Sequence, residues 1–286
     1  MTSIIVLHYE KIPLAAACCE TLVRQQHTAS ILVVDNGSPS HGKDELRAAL
    51  PAKVEILRLP VNRGFAGGMN AGMRKALANP DTDSVLFLNN DTRCPLELVS
   101  SMRAVLSTNP DVGIVGCDME GAGGGESLSA GLKLGRFFGV PTRCRSGENP
   151  AFLQGACLLL PRDVLEETGG FDEDFEFYFE DTDLSLRVRQ LGRSFAVVPN
   201  VRIFHYGSAT LGSSGGRGYE RFHCSHRIFM HKWYSHPELR TALLVLGRVV
   251  YYSMILHVRT IIQIVRGYHA GGQRVRQIKE RTTQTS

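Results

Sequence analysis

An α/β fold built on a mostly parallel sheet is predicted by three features of the 286-residue sequence. Short apolar runs alternate with segments of helical spacing, the order that builds βαβ units. Polar residues able to hold a ligand fall just past the ends of the apolar runs, the edge where open α/β sheets bind. At 43% hydrophobic content the chain fills one large core and a helical extension without further modules.

Taken in order, residues 3–9 form a short apolar run of the sort buried in a parallel sheet. Residues 13–26 carry helical apolar spacing, and 30–35 give a second strand. A third strand is predicted at 54–59, a helix at 67–78 and a fourth strand at 84–88, ending at Asn89-Asn90-Asp91. From 119 to 150 the pattern breaks into Gly123-Gly124-Gly125 and scattered polar residues, read as an irregular excursion. Strand character returns over 152–160, followed by a helix at 162–168. The next helix, 181–190, is closed by Gly192, the residue type that ends helices in the left-handed conformation. The last strands are expected at 194–198 and 201–204, and the Gly/Ser-rich run 212–218 as a loop that orders over ligand.

The formal charge of +4 is too small to argue for nucleic acid as a partner. Seven cysteines, an odd number with no CxxC pair, fit reduced thiols rather than a disulfide or zinc framework. The start lacks the basic flank of a signal peptide, so a cytoplasmic catalytic part is expected. After Tyr234 the only carboxylates are Glu238 and Glu280, whereas arginine recurs. Residues 243–266 are apolar but interrupted by Arg248, Arg259 and Arg266, short of the roughly twenty apolar residues of a spanning helix. At about 100° per residue the three arginines share one stripe. The expectation is a helix lying on the inner face of the cell membrane, its arginines among anionic headgroups. The competing account is a core or homodimer helix with arginines in solvent. The polar run 273–286 is expected to fray. Two parts follow: a main domain over 1–235 and a basic amphipathic extension over 236–286.

The densest chemistry lies between Phe171 and Leu184, where seven carboxylates stand among aromatic residues. Aromatics bury and carboxylates resist burial, so the acids belong at a pocket rim or beside cations, suited to acid/base or metal work. Asp35-Asn36-Gly37-Ser38 follows the second strand, where a carboxylate accepts hydrogen bonds from a nucleobase or ribose; the same four residues are also ordinary turn formers. Asn62 to Gly72 is a Gly-rich stretch opening a helix, where free amides and Arg63 meet an anion, although it is neither a Walker loop nor GxGxxG. Asn89-Asn90-Asp91-Thr92 closes an apolar strand, and hard oxygens there suit magnesium or manganese bridging two phosphates. His205 is the expected second ligand, against the ordinary role of a lone histidine as a hydrogen-bonded core residue. Asp183 is better read as the partner of Arg187, one helical turn on.

In sequence order, Val34-Asp35-Asn36-Gly37-Ser38, Asn62-Arg63-Gly64-Phe65-Ala66-Gly67-Gly68, Leu88-Asn89-Asn90-Asp91-Thr92, Gly169-Gly170-Phe171-Asp172-Glu173 and Glu180-Asp181-Thr182-Asp183-Leu184 resemble family 2 glycosyltransferases, particularly the rhamnosyltransferase-like branch. The resemblance covers 1–235. It implies a GT-A fold, a nucleotide-diphosphate sugar donor (rhamnose from dTDP-rhamnose), a glycan or lipid-linked acceptor, Mn2+ or Mg2+, and inversion at the anomeric carbon. Carried over by position, Asp35 is the base-binding acid and Tyr9 lies beneath the nucleotide. Asn62, Arg63, Gly64 and Asn70 match the segment lining the donor pocket. Asn89, Asn90 and Asp91 resemble the DxD motif, with Asp91 and His205 as metal ligands. Asp181 matches the catalytic base, with Glu180 its acidic neighbour, and Arg217 is expected to help the leaving diphosphate. Crowded carboxylates are expected to raise the base's pKa. Two departures stand out: Glu10 where relatives often have Asn, and Asn89 in place of the motif's first Asp. Two other readings stay open. One is a nucleotidyltransferase, whose Gly-rich, basic loop near the first strand is missing here. The other is a noncatalytic calcium-dependent carbohydrate-binding protein.

Overall fold

The computed structural model describes residues 1–25, 29–40, 42–121, 127–144, 149–207 and 217–285. Most of the expected loop at 212–218 lies outside them. The first half contains β1 (Thr2–His8), α1 (Ile12–Leu22), β2 (Ala29–Asp35), α2 (Lys43–Ala49), β3 (Glu55–Arg58), α3 (Gly64–Leu77), β4 (Ser84–Asn89), β5 (Thr92–Arg93), α4 (Leu98–Thr108) and β6 (Val112–Gly121). There follow β7 (Ser127–Leu128), β8 (Gly131–Leu134), β9 (Pro141–Arg143), β10 (Phe152–Leu153), β11 (Cys157–Pro161), α5 (Arg162–Thr168), α6 (Glu180–Gln190) and β12 (Ser194–His205). Three helices end the described chain: α7 (Gly218–Trp233), α8 (Pro237–Met254) and α9 (Val258–Thr285).

The described chain forms two compact units. The first comprises Met1–Lys133, Arg143–Asp172 and Asp181–Gly207; the second comprises Leu134–Thr142, Glu173–Glu180 and Ser208–Ser286. The boundary thus differs from the one expected at 235, because α7 and the aromatic run before α6 join the helical unit.

In the first unit the main sheet runs β3-β2-β1-β4-β11-β6-β12-β5, with β7 against β6. Strands β1, β2, β3 and β4 are parallel, and β11 is inserted antiparallel between β4 and β6. Alternating side chains feed two cores, as a strand buried on both faces requires. Ile4, Val6, Ile31, Val33, Leu86 and Leu88 pack with residues of α1, α2 and α4. Ile5, Leu32, Val34, Val85 and Phe87 pack with residues of α3, α5 and α6. The chain starts at β1, winds outward through β2 and β3, then returns to β4 on the other side of β1. Beside β1 the winding therefore reverses, and the C-terminal ends meet there: His8 is opposite Asp35, and Leu7 opposite Asn89.

Most expected strands and helices appear within a few residues of their predicted limits. Three corrections are needed. The excursion at 119–150 is partly regular: β6 runs into it, and β8 pairs antiparallel with β10. The single helix expected over 243–266 is two helices, broken between Met254 and Val258, where Leu256 has φ +55°. Arg248 is therefore not on the same stripe as Arg259 and Arg266. The end does not fray at 273, since α9 continues to Thr285 and Arg281 bonds Asp174 at 2.5 Å. Among the described residues no helix is long and apolar enough to cross a membrane.

Candidate active site

The C-terminal edge of the first unit's sheet gathers most of the expected site residues. Asp35 ends β2 and is fully buried, with Oδ2 2.7 Å from Arg58 Nη1 while Oδ1 accepts from the Ser38 amide at 3.2 Å. A carboxylate out of water needs such partners; stripping a charge partner from a buried pair typically costs about 3–5 kcal/mol. Both oxygens of the expected base-binding acid are thus engaged within the protein. Beside it Gly37, Ser38, Pro39, Arg58, Leu59 and Pro60 line an open cleft of about 420 Å3. Gly37 is required in this turn: its φ is +70°, and a Cβ there would come within 2.4 Å of the Val61 carbonyl carbon.

Asn36 latches this turn to the start of α3. Its Oδ1 accepts from the Arg63 amide at 2.9 Å, and its Nδ2 donates to the Gly64 carbonyl at 2.8 Å and to Asn62 Oδ1 at 3.1 Å. Asn62, Arg63 and Gly64 are thereby held next to the β2 turn. Asn70 has a different task from the pocket-lining one expected. It is buried, and its amide exchanges two hydrogen bonds with the Phe171 backbone, at 2.7 and 2.9 Å, clamping α3 to the Gly170-Phe171 corner. Tyr9 lies just past β1, next to Glu10, which has φ +68° and donates its amide to Ser38 Oγ. Asn tolerates that left-handed conformation better than Glu, so the departure noted at this position carries a backbone cost.

At the end of β4, Asn89 and Asn90 lead into Asp91, which is 6% exposed. Asn90 Nδ2 is 3.4 Å from Nδ1 of the fully buried His8. The end of β12 pairs antiparallel with β5, setting His205 opposite Thr92, and the Tyr206 amide donates to the Asp91 carbonyl. This register brings His205 Nε2 to 3.1 Å from Asp91 Oδ1. Two residues separated by more than a hundred positions thus converge through a two-residue strand pairing. Among the described residues no group of three or more His, Cys, Asp or Glu forms a metal cage. The two donors fit a divalent cation all the same, since a carboxylate oxygen and an imidazole nitrogen side by side are a pair that would hold manganese or magnesium. Remaining positions would fall to oxygens of a bound diphosphate and water.

Asp181, in the first turn of α6, reaches the same edge. Its Oδ2 accepts from the Gly155 amide at 2.9 Å, and its Oδ1 accepts from the Thr182 amide at 2.6 Å. The next residue, Ala156, accepts the Asn89 amide at 3.1 Å. Asp91 and Asp181 are therefore each only a few bonds from one junction at the end of β4. Burial raises the Asp181 pKa, against the lowering effect of the Gly155 and Thr182 hydrogen bonds. Desolvation, rather than the crowding of acids expected from the sequence, is the cause. Asp183 is fully buried and bonded to Arg187 Nε at 2.8 Å, as predicted.

In the second unit Glu180 is 8% exposed at the start of α6. Before it, Tyr178 and Phe179 both have positive φ, +71° and +67°. Two consecutive left-handed non-glycine residues cost about 1–3 kcal/mol each and persist only where packing over-determines them. Phe179 supplies that packing, stacked on Phe229 with centroids 4.9 Å apart. Arg217 precedes α7 and is exposed. His8, Arg58 and Gly155 were not singled out from the sequence, and Asn36 entered only as part of the motif that follows the second strand.

The family model described as Glycosyl transferase family 2 matches residues 3–169. The chain is 25% identical over 232 residues to an N-acetylglucosaminyl-diphospho-decaprenol L-rhamnosyltransferase of Mycobacterium tuberculosis, covering 72% of this chain and 75% of that one. It is 26% identical over 199 residues to the uncharacterized protein y4gI of Sinorhizobium fredii, covering 64% of this chain but 22% of that much longer protein. Among solved structures it resembles GalNAc-T7 with UDP, GalNAc and Mn2+ (TM-score 0.64, 13% identity, 83% of this chain and 48% of that one). It also resembles the mannosyltransferase PcManGT of Pyrobaculum calidifontis with GDP-Man and Mn2+ (TM-score 0.59, 16% identity, 96% and 86%). These structural likenesses bear on fold alone, and the fold is GT-A. Since the model spans more than half of the sequence and runs through the strand ends that carry Asp35 and Asp91, the chain belongs to glycosyl transferase family 2.

Proposed function

We propose that the protein transfers a sugar, with inversion, from a nucleotide-diphosphate donor to an acceptor hydroxyl in cell-surface polysaccharide or glycolipid synthesis. The observation that carries this reading is the junction at the end of β4, where Asn89 bonds Ala156 and the adjoining Gly155 bonds Asp181, two residues along from the Asp91–His205 pair. Asp181 takes the proton of the acceptor hydroxyl as that oxygen attacks the anomeric carbon from the face opposite the nucleotide, with no covalent enzyme intermediate. Asp91 and His205 would hold Mn2+ or Mg2+, which when bound offsets charge on the departing diphosphate. The turn at Gly37 and the Asn36 latch line up the nucleoside cleft with the start of α3. The rhamnosyltransferase relative supports rhamnose as the sugar and a lipid-linked glycan as the acceptor. The division of labour is donor and metal chemistry in the first unit and attachment to the inner membrane surface in the C-terminal helices of the second.

The family match favours transfer over both alternatives raised by the sequence. The test is incubation with nucleotide-diphosphate sugars and Mn2+. Release of nucleoside diphosphate, with an inverted anomeric centre by NMR, is expected. Pyrophosphate or sugar phosphate would indicate a nucleotidyltransferase, and no release under any donor would indicate a noncatalytic binder.

A further inference from the structure

The second unit carries a pocket that sugar transfer at Asp181 does not use. Phe138, Tyr219, Leu243, Leu244, Gly247, Arg248, Tyr251 and Tyr252 surround about 400 Å3 between α7, α8 and the 134–142 segment. Its one cation has neutral partners. Arg248 Nη1 donates to Nε2 of the buried His223 at 2.9 Å, and the guanidinium lies 4.8 Å from the centre of the Phe222 ring. Tyr219 and Tyr252 bond each other through their hydroxyls at 2.6 Å. Among the described residues no carboxylate lies at ion-pair distance from Arg248, whereas Arg227 and His231 share Glu238. Burial lowers the His223 pKa to about 3, with Arg248 adding to the effect, so the imidazole is a neutral acceptor that leaves the guanidinium charge uncompensated. A guanidinium has five N–H donors in a fork that matches phosphate, and a half-buried one without a counter-ion favours an anion.

The surroundings identify which anion. Val250, Tyr251, Met254, Ile255, Leu256 and Val258 are large apolar residues exposed at 47–85% around the break between α8 and α9, immediately beyond the pocket. Isolated exposed apolar residues need no account, but a contiguous group of them does. Between Glu238 and Glu280 there is no carboxylate, while Arg240, Arg248, Arg259, Arg266, Arg274, Arg276 and Lys279 all fall within that span. Apolar surface flanked by cations alone is complementary to an anionic bilayer.

We propose that this pocket holds the phosphate-bearing headgroup of an anionic membrane lipid, with Arg248 as its anchor and the lipid chains over the apolar break between α8 and α9. The assignment rests on the membrane-surface part of the functional reading, and it adds a defined headgroup site to what would otherwise be a nonspecific contact.

The test uses the full chain and two probes: dihexanoyl-phosphatidylglycerol as dissolved monomers, followed by calorimetry, and phosphatidylcholine vesicles with or without phosphatidylglycerol, followed by sedimentation. Saturable binding of one lipid is expected. It should weaken at least about tenfold in Arg248→Gln, the size of one charge-assisted hydrogen bond. Gln keeps a donor for His223, and Arg248→Lys, which keeps the charge, should restore part of the affinity. A variant with Met254, Ile255 and Leu256 all changed to Ser should keep the dissolved lipid and lose the anionic vesicles. Equal affinity in wild type and Arg248→Gln would overturn the headgroup site, as would binding of vesicles but not of the dissolved lipid. Inorganic phosphate competing as well as the lipid would reassign the pocket to a free anion. Arg248-dependent binding of dissolved lipid without vesicle binding would remove the membrane reading and leave the pocket. A dimer that the triple variant dissociates would give the apolar surface to a second copy. None of these readouts involves sugar transfer, so the donor site stands or falls separately.

Discussion

Asp181 must be ionised to act as a base, yet its surroundings favour the neutral form, and two backbone amides hold the charged one in reserve. An acid whose pKa is raised loses its proton later as pH rises, so the acid limb of the pH–rate profile should lie above the ordinary aspartate value of about 3.9. A limb at or below that value in kcat against pH would count against Asp181 as the base. Asp181→Asn should lower kcat by roughly a hundredfold or more with donor affinity kept, as measured by steady-state kinetics beside calorimetry. If His205 and Asp91 hold the cation as proposed, His205→Ala should lower Mn2+-dependent donor affinity about tenfold or more, with metal-free binding unchanged. Of these groups the sequence pointed to Asp91, Asp181 and His205 as candidates, because each falls in a motif or at a strand end. It gave no hint of Arg58 or Gly155, whose contributions come from partners far away in the chain. Asn70 shows the same limit from the other side, since only its bonds to Phe171 reveal it as a clamp.

The helices of the second unit depend on close backbone approach. A Cβ on Gly267 of α9 would come within 2.2 Å of the Glu220 carbonyl oxygen of α7, and one on Gly271 within 2.8 Å of the Cys224 carbonyl. Neither contact can be relieved by a side-chain rotation, because the obstacle is main chain. Gly267→Ala should therefore destabilise the protein by about 1–3 kcal/mol despite the higher helix propensity of Ala, with a lower midpoint in thermal unfolding followed by circular dichroism. An unchanged or raised midpoint would show that the α7–α9 crossing relaxes freely. The same logic explains an element absent from the sequence reading. Strand β6 carries Gly113 and Gly116, where a Cβ would meet Val188 at 2.6 Å and Leu153 at 3.1 Å, so side chains of other elements occupy the space and the apolar strand signal is diluted. The break at 255–257 was equally hidden, because Ile255 and Leu256 are ordinary helix residues and carry no Pro or Gly signal.

Binding at the scale of the whole molecule is visible through linkage. A donor that binds only the folded protein at a hundredfold excess over its Kd adds about 2.7 kcal/mol of stability. A thermal-shift screen of nucleotide-diphosphate sugars should therefore give a rise of several degrees for the true donor, larger with Mn2+ than without. A rise indifferent to Mn2+ would argue against metal-linked binding. The seven cysteines are free thiols: Cys18, Cys19, Cys94, Cys117 and Cys157 are buried core residues, with burial raising Cys18 to about 12, while Cys144 and Cys224 are half-buried. The sequence by itself determined the α/β class, the order of most strands and helices, the family and the motif acids, because apolar periodicity and local turn chemistry are properties of neighbours along the chain. Only the tertiary structure decided that β11 inserts antiparallel between β4 and β6, that a two-residue pairing carries His205 to Asp91, and that Arg248 turns onto His223 instead of sharing a stripe with Arg259. Those outcomes depend on which distant segments bury one another's surface and satisfy one another's polar groups, and no spacing along a single chain encodes that choice.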